Sequence, residues 1–310
     1  MSFDTATAPP ATYIGSGMPC QRRSPADEAR RRPPAPRRFV HRSLPLGRHR
    51  VTSASTACLE NQLLAALPGA EWLALRPHLT WVELPLGASL HEAGAVLRHV
   101  HFPVTAIVSL VSAMGNGACA ELAVVGNEGV IGVGAFMGGG YATSSAVVQS
   151  AGHGWRMLAH AIADHAHRSA PLMQALLAYA QALFTHVAQI SACNRHHMLD
   201  QQLCRWLLLQ LDRREGSDML VTHEQIAGLL GVRREGVTGG AVKLQKAGLI
   251  RYVRGRMTIL DRGGLEERSC ECYALVRQAY ERLTSGLPAC QPAAADRDSC
   301  WPAHEPALLS

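Results

Sequence analysis

Thr222-His-Glu-Gln-Ile-Ala-Gly-Leu-Leu-Gly-Val-Arg-Arg-Glu-Gly-Val237, continued after a short gap by Lys243-Leu-Gln-Lys-Ala-Gly-Leu-Ile250, decides how this chain is read. Thr222 followed by Gln225 is a capping-box pattern: the hydroxyl and the side-chain amide satisfy backbone N–H groups that a helix start leaves bare. It predicts a helix over 223–230. Gly231 allows a tight turn, and a second helix is expected over 234–247, closed by Gly248 at a position that favours glycine. Residues 249–253 and 256–260, joined by Arg254-Gly255, then read as a β-hairpin. Two short helices, a tight turn and a hairpin make a winged helix-turn-helix.

The charge distribution agrees with a module that meets a polyanion. Residues 213–262 hold eight Arg and two Lys against five acids, a local +5. Residues 1–55 hold ten Arg against three acids, a local +7, while everything after residue 55 sums to −1. A basic C-terminal module invites nucleic acid as its partner.

Working outward from it, Asp200 reads as the N-cap of a helix over 201–213, and Asp261 as the cap of a last helix reaching Leu283. Upstream, a helix is expected over 171–197. Its Met173, Leu176, Ala180, Leu183, Val187 and Ile190 alternate in steps of three and four, the a/d pattern of a coiled coil, which predicts a homodimer seam. Leu177 and Phe184 form a second stripe expected to pack on the helix's own domain. Further upstream, short apolar runs at 81–84, 90–92, 100–102, 107–113, 119–125, 145–150 and 154–159 are punctuated by Gly and Pro turns such as Leu84-Pro-Leu-Gly87 and Gly115-Asn-Gly117. They predict a small antiparallel barrel or β-roll.

The chain therefore divides into a disordered basic extension (1–55), a β-roll sensor domain (56–168), a dimerisation helix (169–198), a winged helix-turn-helix domain (199–284) and a flexible tail (285–310), an α+β architecture. Residues 129–152 are uncharged but carry seven Gly, so they read as buried strands and turns, not a membrane span. The N-terminus has no uninterrupted apolar run that would make a secretory signal, and the expected location is cytoplasmic. Nine Cys with no C-x-x-C pair and no regular spacing argue against a disulfide framework or a closed zinc site. No cofactor and no metal are expected.

The quoted stretch resembles the winged helix-turn-helix of the Crp/Fnr family, the relatives of the cyclic-AMP receptor protein: a capping Thr, a turn Gly and an Arg-Glu pair opening the recognition helix. Leu84-Pro-Leu-Gly87, His91-Glu-Ala-Gly94 and Gly126-Asn-Glu-Gly-Val-Ile-Gly132 are similar to the family's cyclic-nucleotide-binding-like β-roll. The resemblance covers about residues 60 to 283 and implies a transcription regulator on double-stranded DNA, with RNA polymerase as a further partner and a small-molecule effector at the β-roll. The family's nucleotide cassette uses a Glu and an Arg, where this chain has Val133 and Ser144, so cyclic AMP is not the expected effector. An iron-sulfur cluster would need about four Cys near the N-terminus, where only Cys20 and Cys58 stand; Cys193, His165, His167, His196 and His197 are the residue types a haem could use.

The chemistry of the second helix also stands on its own. Arg can donate two bonds to guanine and Glu can accept from cytosine, so Arg234 and Glu235 are expected to contact bases. Thr222, Arg233, Thr238, Arg254 and Arg256 are expected to contact the DNA backbone. Gly236, Gly239 and Gly240 weaken that helix, with no benefit evident from sequence. Two competing functions are a cupin-like metal enzyme using His99 and His101, which lacks a following Glu and a third His, and a sensor acting through protein partners alone.

Overall fold

The computed structural model describes residues 61–286. The expected extension over 1–55 lies outside them, as does the tail beyond Gly286.

After two short helices, α1 (Gln62–Ala65) and α2 (Gly69–Leu75), seven strands build the β-roll: β1 (Thr80–Leu84), β2 (Ser89–His91), β3 (His99–Pro103), β4 (Ile107–Ala113), β5 (Cys119–Val125), β6 (Ser145–Ser150) and β7 (Gly152–Leu158). They pair antiparallel in two sheets, ordered β1-β7-β3 and β2-β6-β4-β5. Val100, Phe102, Ile107, Val108, Ala123, Val125, Val148 and Met157 are buried in the core of the roll. The uncharged stretch after β5 holds a 3₁₀ turn and β6, and no helix among the described residues is long and apolar enough to cross a membrane.

α3 (Ala159–Arg168) leads into α4 (Ala170–His196), whose N-cap Ser169 hydroxyl accepts from the Leu172 N–H. The chain turns at His197, and α5 (Leu199–Leu211) begins with Met198 at the N-cap, where the Gln201 side-chain oxygen accepts from the Met198 N–H at 3.1 Å. Asp200, expected as the cap, lies in the first turn instead. Every residue from Gln202 to Gln210 is buried, because α5 runs between the β-roll and the C-terminal helices.

The orientation of α4 corrects the expected seam. Leu176, Leu183 and Ile190 are 1%, 6% and 6% exposed and face the chain's own core. Covering them are β5 and α9 (Cys272–Gly286), an element distant in sequence. Leu177 and Phe184, expected to pack inward, are 48% and 68% exposed. Met173, Ala180 and Val187 are half-buried at the boundary between the two faces.

The C-terminal module contains β8 (Asp218–Leu220), α6 (His223–Leu230), α7 (Arg234–Lys246), β9 (Ile250–Val253) and β10 (Arg256–Ile259), with sheet order β8-β10-β9. The single last helix expected from Asp261 is broken. α8 (Arg262–Arg268) ends at Ser269, and α9 starts again at Cys272.

Two buried acids, Glu121 and Glu128, tie the β-roll to α5 and to Arg213 just past its end. Arg213 Nε donates to Glu128 Oε1 at 2.7 Å, with Arg213 also bonded to the Leu209 carbonyl. Glu121, on β5, accepts from Trp206 Nε1 at 3.1 Å. Burial pushes the Glu121 carboxyl above its ordinary range, against the pull of Ser109, Arg205 and Trp206. Ser109 Oγ lies 2.6 Å from Glu121 Oε2 and 2.7 Å from Gln149 Oε1. One hydroxyl hydrogen cannot serve both acceptors, so a protonated Glu121 donating to Ser109, which donates to Gln149, satisfies all three groups.

Candidate nucleic-acid interface

The capping box forms as the sequence indicates. The Gln225 N–H donates to Thr222 Oγ1 at 3.2 Å, and the Thr222 N–H donates to Gln225 Oε1 at 2.8 Å. Gly231 takes the left-handed conformation (φ 67°) that turns the chain from α6 into α7. α7 then starts at Arg234, with Arg233 at its N-cap and Glu235 in its first turn.

Arg233, Arg234 and Glu235 are all exposed at this helix start. The one ion pair of Arg234 is a 3.9 Å approach to Glu224, with both side chains more than half exposed. A pair that open is worth little and yields readily to a better partner. Among the described residues, Arg233 and Arg254 pair with no acid. Arg254 sits at the hairpin turn with φ 48°, projecting from the wing beside Gly255. Arg256 is held loosely by Asp218 at 3.4 Å.

Two of the expected backbone contacts have their donors engaged within the domain. Both the N–H and the hydroxyl of Thr222 bond Gln225. The Thr238 hydroxyl donates to the Arg234 carbonyl at 3.0 Å, which leaves its oxygen to accept from His223 Nδ1 at 3.1 Å. The His223 ring stacks on Tyr252 at 4.1 Å between centroids, and burial, helped by the charge of Arg234, pushes its pKa down. A neutral His223 therefore links α6, α7 and the wing. Nothing in the local sequence pattern singles out this residue.

Two of the three glycines of α7 have a packing reason that sequence does not reveal. A Cβ at Gly236 would stand 2.6 Å from Leu199 Cδ2, and one at Gly240 would stand 3.1 Å from Leu203 Cδ2 and 3.2 Å from Asp200 Oδ1. These two residues let α7 lie close on the start of α5, where Lys243 Nζ also bonds Asp200 Oδ2 at 2.7 Å. A Cβ at Gly239 would meet nothing within 4 Å; it leaves a gap on the exposed face beside Glu235, and nothing in the structure explains it.

In the β-roll, Val133 and Ser144, where the resemblance would have a Glu and an Arg, carry no charge. Glu92, the carboxylate next to Ser145, already accepts from Ser89 Oγ at 2.7 Å and Ser145 Oγ at 3.1 Å. The rings of His99 and His101 stand 6.3 Å apart between centroids, and burial pushes His101 down to about 4. Among the described residues, neither belongs to a group of side chains close enough to share a metal ion.

One such group does exist. Cys193 and His197, at the end of α4, meet Cys270 and Cys272, at the break between α8 and α9. This gathering is at odds with the expectation, drawn from irregular cysteine spacing, that the chain has no closed metal site. Spacing rules built on C-x-x-C miss it; the signals are C-x₃-H within one helix turn at 193–197 and C-x-C at 270–272.

Residues 201–268 match the family described as the Crp-like helix-turn-helix domain. No curated protein is close enough in sequence to count as a match. Among solved structures, one described as a Crp/Fnr-family transcriptional regulator from Eubacterium rectale is similar over 65% of this chain and 94% of its own, at 20% identity and a TM-score of 0.54. FixK2 from Bradyrhizobium japonicum is similar over 62% of this chain and 98% of its own, at 15% identity and a TM-score of 0.53. A CRP-family transcriptional regulator from Thermus thermophilus is similar over 61% of this chain and 96% of its own, at 20% identity and a TM-score of 0.51. At such identities the likeness concerns the fold, and it spans both the β-roll and the C-terminal module. The chain thus carries a Crp-like helix-turn-helix DNA-binding domain and has the fold of the Crp/Fnr transcription regulators.

Proposed function

We propose that the protein is a homodimeric, sequence-specific transcription regulator in which α7 enters the major groove and Arg234 and Glu235 read bases. The observation that carries this reading is the start of α7: exposed, basic and unencumbered by strong pairing, yet positioned by the Thr222 cap and the His223–Thr238 bond. Arg233, Arg254 and Arg256 are suited to phosphate, where a cation fixes register without reading sequence. Thr222 and Thr238 act as positioning residues, unless DNA draws their donors away.

The dimer forms through the exposed stripe of α4, centred on Leu177 and Phe184 and flanked by Met173, Ala180 and Val187. The steps of four and three along this stripe suit a two-helix seam. A two-fold dimer should bind an inverted repeat with half-sites about 10 base pairs apart, centre to centre. A signal at the β-roll would reach the DNA module through α5, since Glu121 and Glu128 of the roll bond Trp206 of that helix and Arg213 just past its end. An effector can act only by preferring one arrangement of the two domains. Cyclic AMP is not that effector, and the absence of saturable binding in calorimetry is the expected result. RNA polymerase would be the further partner.

Selection of bound fragments from random duplexes tests the whole reading. Enrichment of a palindromic site containing G·C pairs supports it, and a pool without symmetry or enrichment refutes it.

A further inference from the structure

We propose that Cys193, His197, Cys270 and Cys272 form a closed Cys₃His site for a thiophilic divalent metal, zinc by its geometry, tying the end of α4 to the α8–α9 junction. Four ligand atoms, one from each residue, lie within 4.8 Å of one another. Cys193 Sγ is 3.5 Å from Cys270 Sγ, and Cys272 Sγ is 3.4 Å from His197 Nδ1. With Zn–S near ~2.3 Å and Zn–N near ~2.0 Å, the corners of a tetrahedral site stand about 3.5 to 3.8 Å apart, so only small movements would close this one. Three soft sulfurs and one imidazole suit zinc over magnesium or calcium. Four protein ligands leave no open position, as in structural and regulatory sites.

The surroundings are those of a ligand set. His197 Nε2 lies 3.2 Å from Glu271 Oε1, an arrangement that keeps the hydrogen on Nε2 and leaves Nδ1 free to coordinate. Gln189 Nε2 donates to Cys272 Sγ at 3.1 Å. Gln202 Nε2 donates to the His197 carbonyl at 2.8 Å and so fixes the turn that presents the imidazole. Three thiolates and a divalent ion leave a net charge of −1, and Arg205 is a buried guanidinium whose Nε and Nη1 have no hydrogen-bond partner among the described residues.

The break between α8 and α9 also gains a reason, since a continuous helix would not turn both cysteines towards α4. Because the ligands come from both sides of the turn at His197, an occupied site would hold the DNA module at one angle to α4. That consequence rests on the regulatory reading above; the site itself does not.

The test uses the full chain, expressed with zinc in the medium and kept reduced. Mass spectrometry for metals should find about one zinc per chain, and Co²⁺ in its place should give the intense visible bands of a thiolate-rich tetrahedral site. Cys272→Ser should lower zinc affinity at least about 100-fold, and Glu271→Gln, which leaves the exposed surface otherwise unchanged, about 10- to 100-fold. Cys204→Ser, at a buried cysteine outside the cluster, should change neither. Reduced protein that is folded by circular dichroism, yet holds under about a tenth of an equivalent of zinc and gives no Co²⁺ bands, overturns the proposal. So does zinc retained undiminished by both Cys272→Ser and Glu271→Gln, or a chain that binds no metal when reduced and only closes Cys193 onto Cys270 when oxidised.

Discussion

Phe184→Glu separates the two faces of α4. In the isolated chain Phe184 is 68% exposed, whereas its neighbour Leu183 is 6% exposed. Burying a phenylalanine side chain fully is worth roughly 1.5–3 kcal/mol. Covering the two-thirds still open to water would therefore give about 1–2 kcal/mol per protomer, or about 2–4 kcal/mol per dimer. Losing that, before any repulsion between two facing carboxylates, raises the dimer dissociation constant about 30- to 1,000-fold. Sedimentation equilibrium over a range of concentrations reads this directly. Phe184→Glu should give folded monomers with the parent's melting temperature extrapolated to the monomer. Leu183→Glu should instead lose cooperative folding, since it buries a charge against β5 and α9. A Phe184→Glu protein that dimerises as before, beside a folded and monomeric Leu183→Glu protein, would refute the assignment of faces.

Two further substitutions test the packing. Gly239→Ala should stabilise by about 1 kcal/mol in urea unfolding, because the added methyl meets nothing and helix propensity improves. Gly236→Ala, with the same gain in propensity but a contact at 2.6 Å to Leu199, should be neutral or destabilising by up to about 2 kcal/mol; a Gly236→Ala protein more stable than Gly239→Ala contradicts the close approach of α7 to α5. Glu121→Gln tests the buried carboxyl. A raised folded pKa contributes stability that is complete below the ordinary Glu value and lost as pH rises through the raised one. The parent's stability relative to Glu121→Gln, measured by urea unfolding, should fall as pH rises above the ordinary Glu range, and a difference that is constant or grows with pH excludes a protonated Glu121.

What sequence could and could not reveal divides along physical lines. Short apolar runs bounded by turn residues placed β4, β5 and β6 to the residue, and the Thr222–Gln225 box placed α6, because each signal is local. α4 was harder: Leu176 with Leu177, and Leu183 with Phe184, put apolar residues on adjacent faces, and periodicity alone cannot say which face meets its own core. The answer came from α9, nearly a hundred residues further along the chain. The break before α9 carries neither Gly nor Pro, so Ser269 to Glu271 read as helix. The Arg213–Glu128 pair and the Trp206–Glu121 bond each join residues 85 positions apart, and the metal-type cluster joins Cys193 to Cys270 across 77. Such partners become visible only when the chain is folded.

The claim on which the functional account rests is that α7 reads sequence. Binding of Arg234→Ala and Arg254→Ala to the selected duplex and to a scrambled one, across a range of salt, tests it most directly. Arg234→Ala should cost about 1–3 kcal/mol per half-site on the selected duplex, relax the preference at one base pair, and leave the scrambled duplex nearly unaffected. Arg254→Ala should weaken both duplexes alike and reduce the salt slope by about one. Equal losses on both duplexes from Arg234→Ala would make that residue a phosphate contact, and contradict the assignment of α7 as the reading helix.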